Sequence, residues 1–316
     1  MDEPSRTLEQ DITEIAGIIG EATDDADELI RKPLRQTFRN HGKLLRPSLM
    51  VWAAGCGTCR QRRKLLMAGA AVELLHTASL IHDDIIDDGQ IRRGLPAVHS
   101  LFGNSVAVYT GDFTIIRSYK LLHDSGNDDL IYDFILATEK LCKSDIVQYQ
   151  NRGNELAEKD YIRIAAGKTG ALFALSMKIG ARLGGLKESV CERFGELGET
   201  FGVAFQINDD CLDYRMDGSV NKSTLSDLRQ GIYNLPLILA LQKDDGALRA
   251  LLASELTEET LLAISEKVVE LGGIDAARER VKQYLAKCRK LLNALPGTSS
   301  GAYFSNLLNR MEEQQT

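Results

Sequence analysis

The chain has 316 residues, 44% of them hydrophobic, enough for a sizeable core and for one large domain or two smaller ones. Lys and Arg total 38 against 45 Asp and Glu, a net charge of -7, which argues against nucleic-acid binding as the main business of the chain. The N-terminal MDEPSRTLEQDI has neither the basic start nor the apolar centre of a secretory signal. No run of about 18 apolar residues is free of charge, so the expectation is a cytoplasmic protein with no membrane-spanning helix.

Apolar residues recur at helical spacing almost throughout. The first predicted helices cover 9–22, 25–39 and 44–54. Cys56 and Cys59 then form a CxxC in the loop-like AAGCGTC. No second pair follows to complete a zinc site and no strand–helix unit surrounds it, so all six cysteines read as reduced thiols. The next helix, 60–88, opens on the basic run Arg60, Arg62, Arg63 and Lys64, read as a solvated helix start. It continues through LLMAGAAVELLHTASLI into HDDIIDDGQIRR. A break at Gly89 to Pro96 precedes a helix over 97–123, where GDFTIIRSYK is β-branched but flanked by helical pattern. After HDSGND come 127–152, 158–184 and 187–215; after MDGSVNKSTLSD come 231–243, 257–271, 274–293 and 301–313. Strands are too scarce for an α/β sheet. With no linker to separate domains, the expectation is a single all-α domain over 1–316, built of long antiparallel helices.

The stretch from His82 to Arg93 sets four aspartates within six residues. On a helix Asp83 and Asp87, and Asp84 and Asp87, share a face. Like charges at that spacing destabilise a helix, and an unpaired buried charge costs far more. A solvated helix end explains one such cluster. FQINDDCLDY repeats the device with Asp209, Asp210 and Asp213, again closing an apolar helix. Two DDxxD clusters suit carboxylates on opposing walls of one cavity, holding Mg2+ that bridges to substrate phosphates. Cations accompany them: Lys43 and Arg46 in GKLLRP, Arg92 and Arg93 after the first cluster, Lys168 in GKTG, and Lys222 before Asp227. Arginine beside such a cluster suits bidentate phosphate recognition. GKTG lacks the GxxxxGK of a phosphate-binding loop.

Glu73 and His76 form the ExxH of a di-iron bundle, but no other histidine has Glu three residues before it. On position alone His76 reads as a hydrogen-bonded core histidine, and Met50, Met67 and Met177 as core filling. A terpene cyclase would need only the first DDxxD, and a non-catalytic subunit would not need both clusters intact.

GKLLRP, ELLHTASLIHDDIIDDGQIRRGLPA, GDF, GKTGALF, FQINDDCLDY and SDLRQGIYNLPL resemble, in this order, the signatures of the trans-isoprenyl diphosphate synthases. The likeness runs from about residue 30 to the C-terminus, leaving 1–29 as a variable helical segment. It implies an all-α fold around a central cavity, and Mg2+-assisted condensation of isopentenyl diphosphate with an allylic diphosphate such as farnesyl or geranylgeranyl diphosphate. Two or three Mg2+ ions per site are implied, with Mn2+ able to substitute. Asp83, Asp84, Asp87 and Asp209 match the metal ligands, with Asp88, Asp210 and Asp213 completing the clusters. Arg92, Lys168 and Lys222 match the allylic diphosphate contacts; Lys43, Arg46, His76 and Arg93 match the isopentenyl diphosphate pocket. Thr169 and Gln206 match polar residues of the reaction centre, and Gln148 falls where glutamine is frequent. Leu44, Ile232 and Asn234 depart from the family pattern, standing where basic residue, lysine and threonine are common. Loss of the lysine implies weaker allylic binding unless Lys168 and Lys222 compensate.

In the family an aromatic residue five positions before the first motif stops chain growth. Here Ala78 and Ser79 are small, with Leu75 beneath them, which implies a long all-trans product of about C30 to C40, heptaprenyl first, for a quinone side chain. A bulky Phe113 or Tyr119 closing the tunnel would imply geranylgeranyl diphosphate instead. The likeness also implies a homodimer, or a heterodimer with a small helper subunit, and an insoluble product implies loose peripheral membrane contact.

Overall fold

A computed structural model describes residues 7–39, 42–58, 61–214, 225–297 and 302–315. In chain order the helices are α1 Leu8–Asp24, α2 Glu28–Phe38, α3 Leu45–Gly55 and α4 Arg62–Ile86. A hairpin of β1 Ile91–Arg92 and β2 Leu95–Pro96 follows, then α5 Val98–Phe102, α6 Asn104–Asp124, α7 Asp128–Gln150 and α8 Glu158–Ala165. A π-helical turn, Ala166–Gly170, leads into α9 Ala171–Leu183 and α10 Glu188–Leu212. The remainder is α11 Ser226–Arg229, α12 Leu235–Leu241, α13 Ala247–Leu252, α14 Glu258–Glu270, α15 Gly273–Asn293 and α16 Tyr303–Glu313. The all-α reading holds, and the long helices fall within a few residues of their predicted bounds.

The departures have local causes. The helix expected over 97–123 is two helices, because Gly103 takes φ 84, ψ 159 between α5 and α6, a conformation open to glycine but strained for other residues. The stretch expected as helix over 158–184 widens to a π turn at Ala166–Gly170, a feature that often marks a functional position. The helix expected from 231 begins only at Leu235, capped by the Asn234 side chain with Pro236 in its first turn. α13 was not predicted.

By proximity of its Cα atoms the chain divides into two compact units, with the boundaries inside α7, α9 and α10. The first comprises Met1–Leu136, Leu175–Gly195 and Pro296–Gly301. Its centre is α4, which packs against α1, α3 and α6. Leu66, Ala68, Ala70, Ala71, Val72, Leu74 and Ala78 are all fully buried along it. α4 is long and apolar enough to cross a membrane, yet most of that stretch lies inside the fold, which makes it a core helix. Small residues let α6 approach: the Ser118 hydroxyl donates to the Ala71 carbonyl at 2.7 Å, and a Cβ on Gly111 would overlap the His82 ring.

The second unit comprises Ala137–Ala174, Glu196–Leu295 and Ala302–Thr316. Phe173 meets Phe201 edge-on at 5.2 Å between centroids, and Phe201 meets Phe304 at 5.3 Å, geometries that suit the ring quadrupoles. All of α12 is buried, against α14 and α15.

Candidate active site

Both acidic motifs stand at the C-terminal ends of 25-residue helices, α4 and α10. That is the negative end of the helix dipole, where carboxylates are disfavoured unless cations answer them. α4 stops in a Schellman arrangement: Asp88 takes φ 50, and the Gly89 amide donates to the Asp84 carbonyl at 2.9 Å. An aspartate in this left-handed position is tolerated better than a branched residue.

The hairpin returns the arginines to the aspartates. Ile91 pairs with Pro96 and Arg92 with Leu95, leaving Arg93 and Gly94 as the turn, with φ 52 and 77, the geometry favoured in two-residue hairpins. Arg92 Nε donates to Asp84 Oδ1 at 2.9 Å, and its Nη2 reaches the same oxygen. Asp84 is only 4% exposed. Burial raises its pKa, and the Arg92 hydrogen bond and charge oppose that rise. Asp83 and Asp87 are half-buried on the same helix end.

Arg93 lies against the GKLLRP loop, where a Cβ on Gly42 would sit 2.9 Å from its guanidinium carbon. Arg46 and Arg93 both act on Glu73 and on His76. The buried Glu73 is pushed up by desolvation against their pull. His76 is held well below its ordinary pKa by burial, then by Arg46, Arg93 and Arg92, so it is a neutral imidazole surrounded by guanidinium groups. Arginines thus attend this Glu-His pair, an anion-binding setting rather than a di-iron one. Lys43 is exposed beside them. Leu44 is buried, with φ 43, at the N-cap of α3; that inward position accounts for the missing basic residue.

In the second unit the π turn presents Lys168 and Thr169. Lys168 Nζ lies 3.0 Å from Gln148 Oε1 and 3.3 Å from Asp145 Oδ1. The Thr169 hydroxyl donates to Gln206 Oε1 at 2.6 Å. Gln206 Nε2 donates to Asp210 Oδ1 at 2.9 Å. Asp210 Oδ2 accepts from the Tyr161 hydroxyl at 2.5 Å and from the Leu235 amide at 3.4 Å. Asp209 is exposed, Asp213 half-buried and Asp210 buried. Burial first, then Asp227, pushes Asp210 up to about 8. Burial, Asp227 and Asp209 push Asp213 up to about 7.

Asn234 Oδ1 accepts from the Tyr214 hydroxyl at 2.8 Å and caps α12, so asparagine at the usual threonine position keeps a capping oxygen. Ile232 is 9% exposed, packed inward where the family often carries a lysine. Lys222 lies outside the described residues. Sequence reasoning gave no role to Tyr161 or Asp227. Tyr161 reads as an ordinary core aromatic, whereas Asp227 stands in the quoted SDLRQGIYNLPL, the signal that it belongs to the site.

A helical chain with these two motifs, arginines returned onto the first and a Lys-Thr-Gln network beside the second, is a prenyl diphosphate synthase. It belongs to the polyprenyl synthetase family, whose model matches residues 27–270. A relative from Rhodobacter capsulatus, described as an all-trans-nonaprenyl-diphosphate synthase, is 32% identical over 94% of this chain and 93% of its own. A solved geranylgeranyl pyrophosphate synthase from Lactobacillus brevis superposes with a TM-score of 0.87 at 30% identity, covering 98% of this chain and 95% of that one. A polyprenyl synthase from Caulobacter crescentus, solved with calcium and isoprenyl diphosphate, gives 0.86 at 25% identity over 99% and 98%. The chain is therefore a trans-prenyltransferase acting on isoprenoid diphosphates.

Proposed function

We propose that this enzyme condenses isopentenyl diphosphate with an allylic diphosphate, farnesyl or geranylgeranyl, in a Mg2+-dependent reaction that builds an all-trans chain of about C30 to C40, heptaprenyl first. The observation that carries the metal dependence is the pair of carboxylate clusters at two helix C-termini. Every donor there is a hard carboxylate oxygen. Among the described residues no group of three or more His, Cys, Asp or Glu is placed to hold a metal ion by itself, so an ion bound here would need further oxygens from substrate and water. Asp83, Asp84, Asp87 and Asp209 would hold two or three such ions, with Mn2+ able to substitute and Asp88, Asp210 and Asp213 completing the clusters. When bound, the ions neutralise the diphosphate leaving group.

The protein's own groups do the rest. Arg92, Lys168 and Lys222 contact the allylic diphosphate; Lys43, Arg46, Arg93 and the neutral His76 hold isopentenyl diphosphate. The allylic C–O bond breaks, its electron pair leaving with diphosphate. The double bond of isopentenyl diphosphate forms the new C–C bond, and the departing diphosphate takes the proton lost from C2. Gln148 anchors Lys168, and positioning with exclusion of water protects the cation. The test is purified chain with Mg2+, farnesyl diphosphate and labelled isopentenyl diphosphate. A polyprenyl product of this length is expected; a product ending at geranylgeranyl length overturns the long-chain assignment, and full activity in EDTA overturns the metal.

The raised carboxyls give a second check. Asp210 and Asp213 keep protons in the folded chain where the unfolded chain has released them. Their contribution to stability is therefore complete at acid pH and lost as pH rises through about 7 to 8. A cation in this cluster competes with those protons. The gain in melting temperature on adding Mg2+ should be larger at pH 8 than at pH 6 by scanning fluorimetry; an equal or reversed gain counts against metal binding here.

Assembly is read as a homodimer. In the first unit α6 exposes Val108, Tyr109 and Ile116, and the start of α7 exposes Tyr132, Ile135 and Leu136, apolar area that a second copy would cover. A helper subunit in its place would appear as an inactive homo-oligomer. A cytoplasmic enzyme with loose membrane contact fits a product this apolar.

A further inference from the structure

His99, on α5, is a buried polar group with no role so far. Its side chain is 6% exposed, and neither ring nitrogen has a hydrogen-bond partner among the described residues. Buried polar groups are almost always hydrogen-bonded, so one that is not calls for a cause. Nε2 stands 3.5 Å from Asp88 Oδ1, too long for a hydrogen bond, and the ring lies within electrostatic reach of Asp84, the carboxylate that holds Arg92. Asp88 belongs to the root of the arginine hairpin. Gln90 Nε2 donates to Asp88 Oδ1 at 2.9 Å and to its carbonyl at 3.1 Å. Gln90 Oε1 accepts from the Ser100 hydroxyl at 3.1 Å, and the Gln90 carbonyl from the Ala97 amide at 2.9 Å. These bonds join the residues before β1 to those after β2, and His99 sits among them. Asp88 and Arg93 both take left-handed backbone, φ 50 and 52, a conformation that recurs in ligand clamps and switch segments. The hairpin and α4 also share a cavity, lined by Arg92, Arg93, Leu95, Thr77 and Ile81, which leaves the hairpin room to shift.

We propose that His99 is a positioning residue for the arginine hairpin: as Arg92 and Arg93 take hold of diphosphate, Asp88 closes onto His99 Nε2, and the bond so made holds both arginines on the ligand. The proposal rests on the reading above that these arginines bind the substrates' diphosphates. A shift of roughly half an ångström at the root of the hairpin brings Asp88 within hydrogen-bond length. A contact made only with the ligand in place adds to affinity, whereas one made equally in both states would add nothing. The Nε2 hydrogen this needs is present in the charged ring and in one neutral tautomer, and no partner of Nδ1 favours the other tautomer. The contact uses Oδ1 alone. Asp88 is 88% exposed and its Oδ2 has no partner among the described residues, so that oxygen remains available to the cation cluster.

The probe is inorganic diphosphate with Mg2+, titrated calorimetrically into the full chain. His99→Leu keeps the bulk and removes the donor. It is expected to weaken diphosphate binding about tenfold, with the Mg2+ concentration for half-maximal rate changed less than about twofold. With prenyl substrates the loss should fall on KM, kcat changing less than about twofold. His99→Gln, whose amide can donate where Nε2 stands, should recover most of the affinity. Asp88→Ala removes the acceptor from an exposed position without touching the core, and in that background His99→Leu should add little further loss. Unchanged affinity in His99→Leu, a His99→Gln chain as weak as His99→Leu, or multiplicative losses from His99→Leu and Asp88→Ala overturn the proposal. A raised Mg2+ requirement in His99→Leu overturns it in favour of a role at the cation, and a lowered melting temperature with unchanged affinity overturns it in favour of packing. A wild-type chain that neither binds diphosphate nor makes a prenyl product overturns the reading of the site itself; a wild type that does both, with any of the other outcomes, overturns only the His99 contact.

Discussion

Asp209→Ala should lower kcat by about 10^3-fold, the scale on which enzymes lose a preorganised electrostatic contact to the leaving group, while leaving the helical circular dichroism intact. Its melting temperature without metal should fall less than that of Asp84→Ala. Asp209 is exposed near the C-terminal end of α10, where a negative charge opposes the helix dipole by roughly 0.3–1 kcal/mol. Removing it relieves that repulsion, and its contribution to raising Asp213 as well. Asp84→Ala should cost as much activity but behave differently in stability, because Asp84 is buried and its oxygen holds Arg92. Losing it leaves the guanidinium without its acceptor, so that variant should melt earlier than wild type. The contrast separates a carboxylate at an exposed helix end from a buried one that also ties the hairpin to α4. Measurable turnover near the wild-type rate in Asp209→Ala would remove the second motif from the catalytic apparatus.

The opposition between stability and function is also what made the site legible. A run of like charges closing an apolar helix is locally unfavourable, and it recurs at α4 and α10 with the same spacing. Local disfavour repeated in this way points to a ligand. The long helices could be read because their apolar faces repeat with the helical period. What stayed hidden depends on single backbone choices or on contacts distant in sequence. Gly103 splits one predicted helix through its φ alone. The Arg93-Gly94 turn makes a two-residue hairpin too short to leave a strand pattern. The π turn at Ala166–Gly170 keeps a helical composition. Tyr161 and Asp210 are 49 residues apart, so neither sequence neighbourhood indicates the bond between them. Leu44 and Asn234, noted as departures, proved to be an inward N-cap and a substitute cap.

Product length turns on which face of α4 meets the growing chain. A helix rises about 1.5 Å per residue, which puts Ser79 and Ala78 roughly 6 to 7.5 Å before Asp83 along α4, but the two residues lie on different faces. Ala78 is fully buried. It shares a face with Ala71, whose carbonyl takes the Ser118 hydroxyl of α6, and with His82, which lies against Gly111 of α6. Ser79 is half-buried, on the face of His76 and Asp83, with its hydroxyl turned back to the His76 carbonyl at 2.8 Å. Phe113, an alternative stop, packs against Ala26, Ile30 and Leu34 with the Arg117 guanidinium 4.7 Å above its ring, which commits it to the α2 side. We therefore expect Ser79→Phe to shorten the product to about C20 or less, reading the face with the site as the wall of the growing chain, at an unchanged melting temperature. Ala78→Phe should shorten the product as well, but it forces a ring into the packed α4–α6 contact and should cost about 1–3 kcal/mol of stability. Leu75, 3% exposed one turn below Ser79, is then the next floor, and Leu75→Ala in an otherwise wild-type chain should lengthen the product. Chromatography of the dephosphorylated products decides it: if Ser79→Phe and wild type end at the same length, the small residues on α4 do not set the passage.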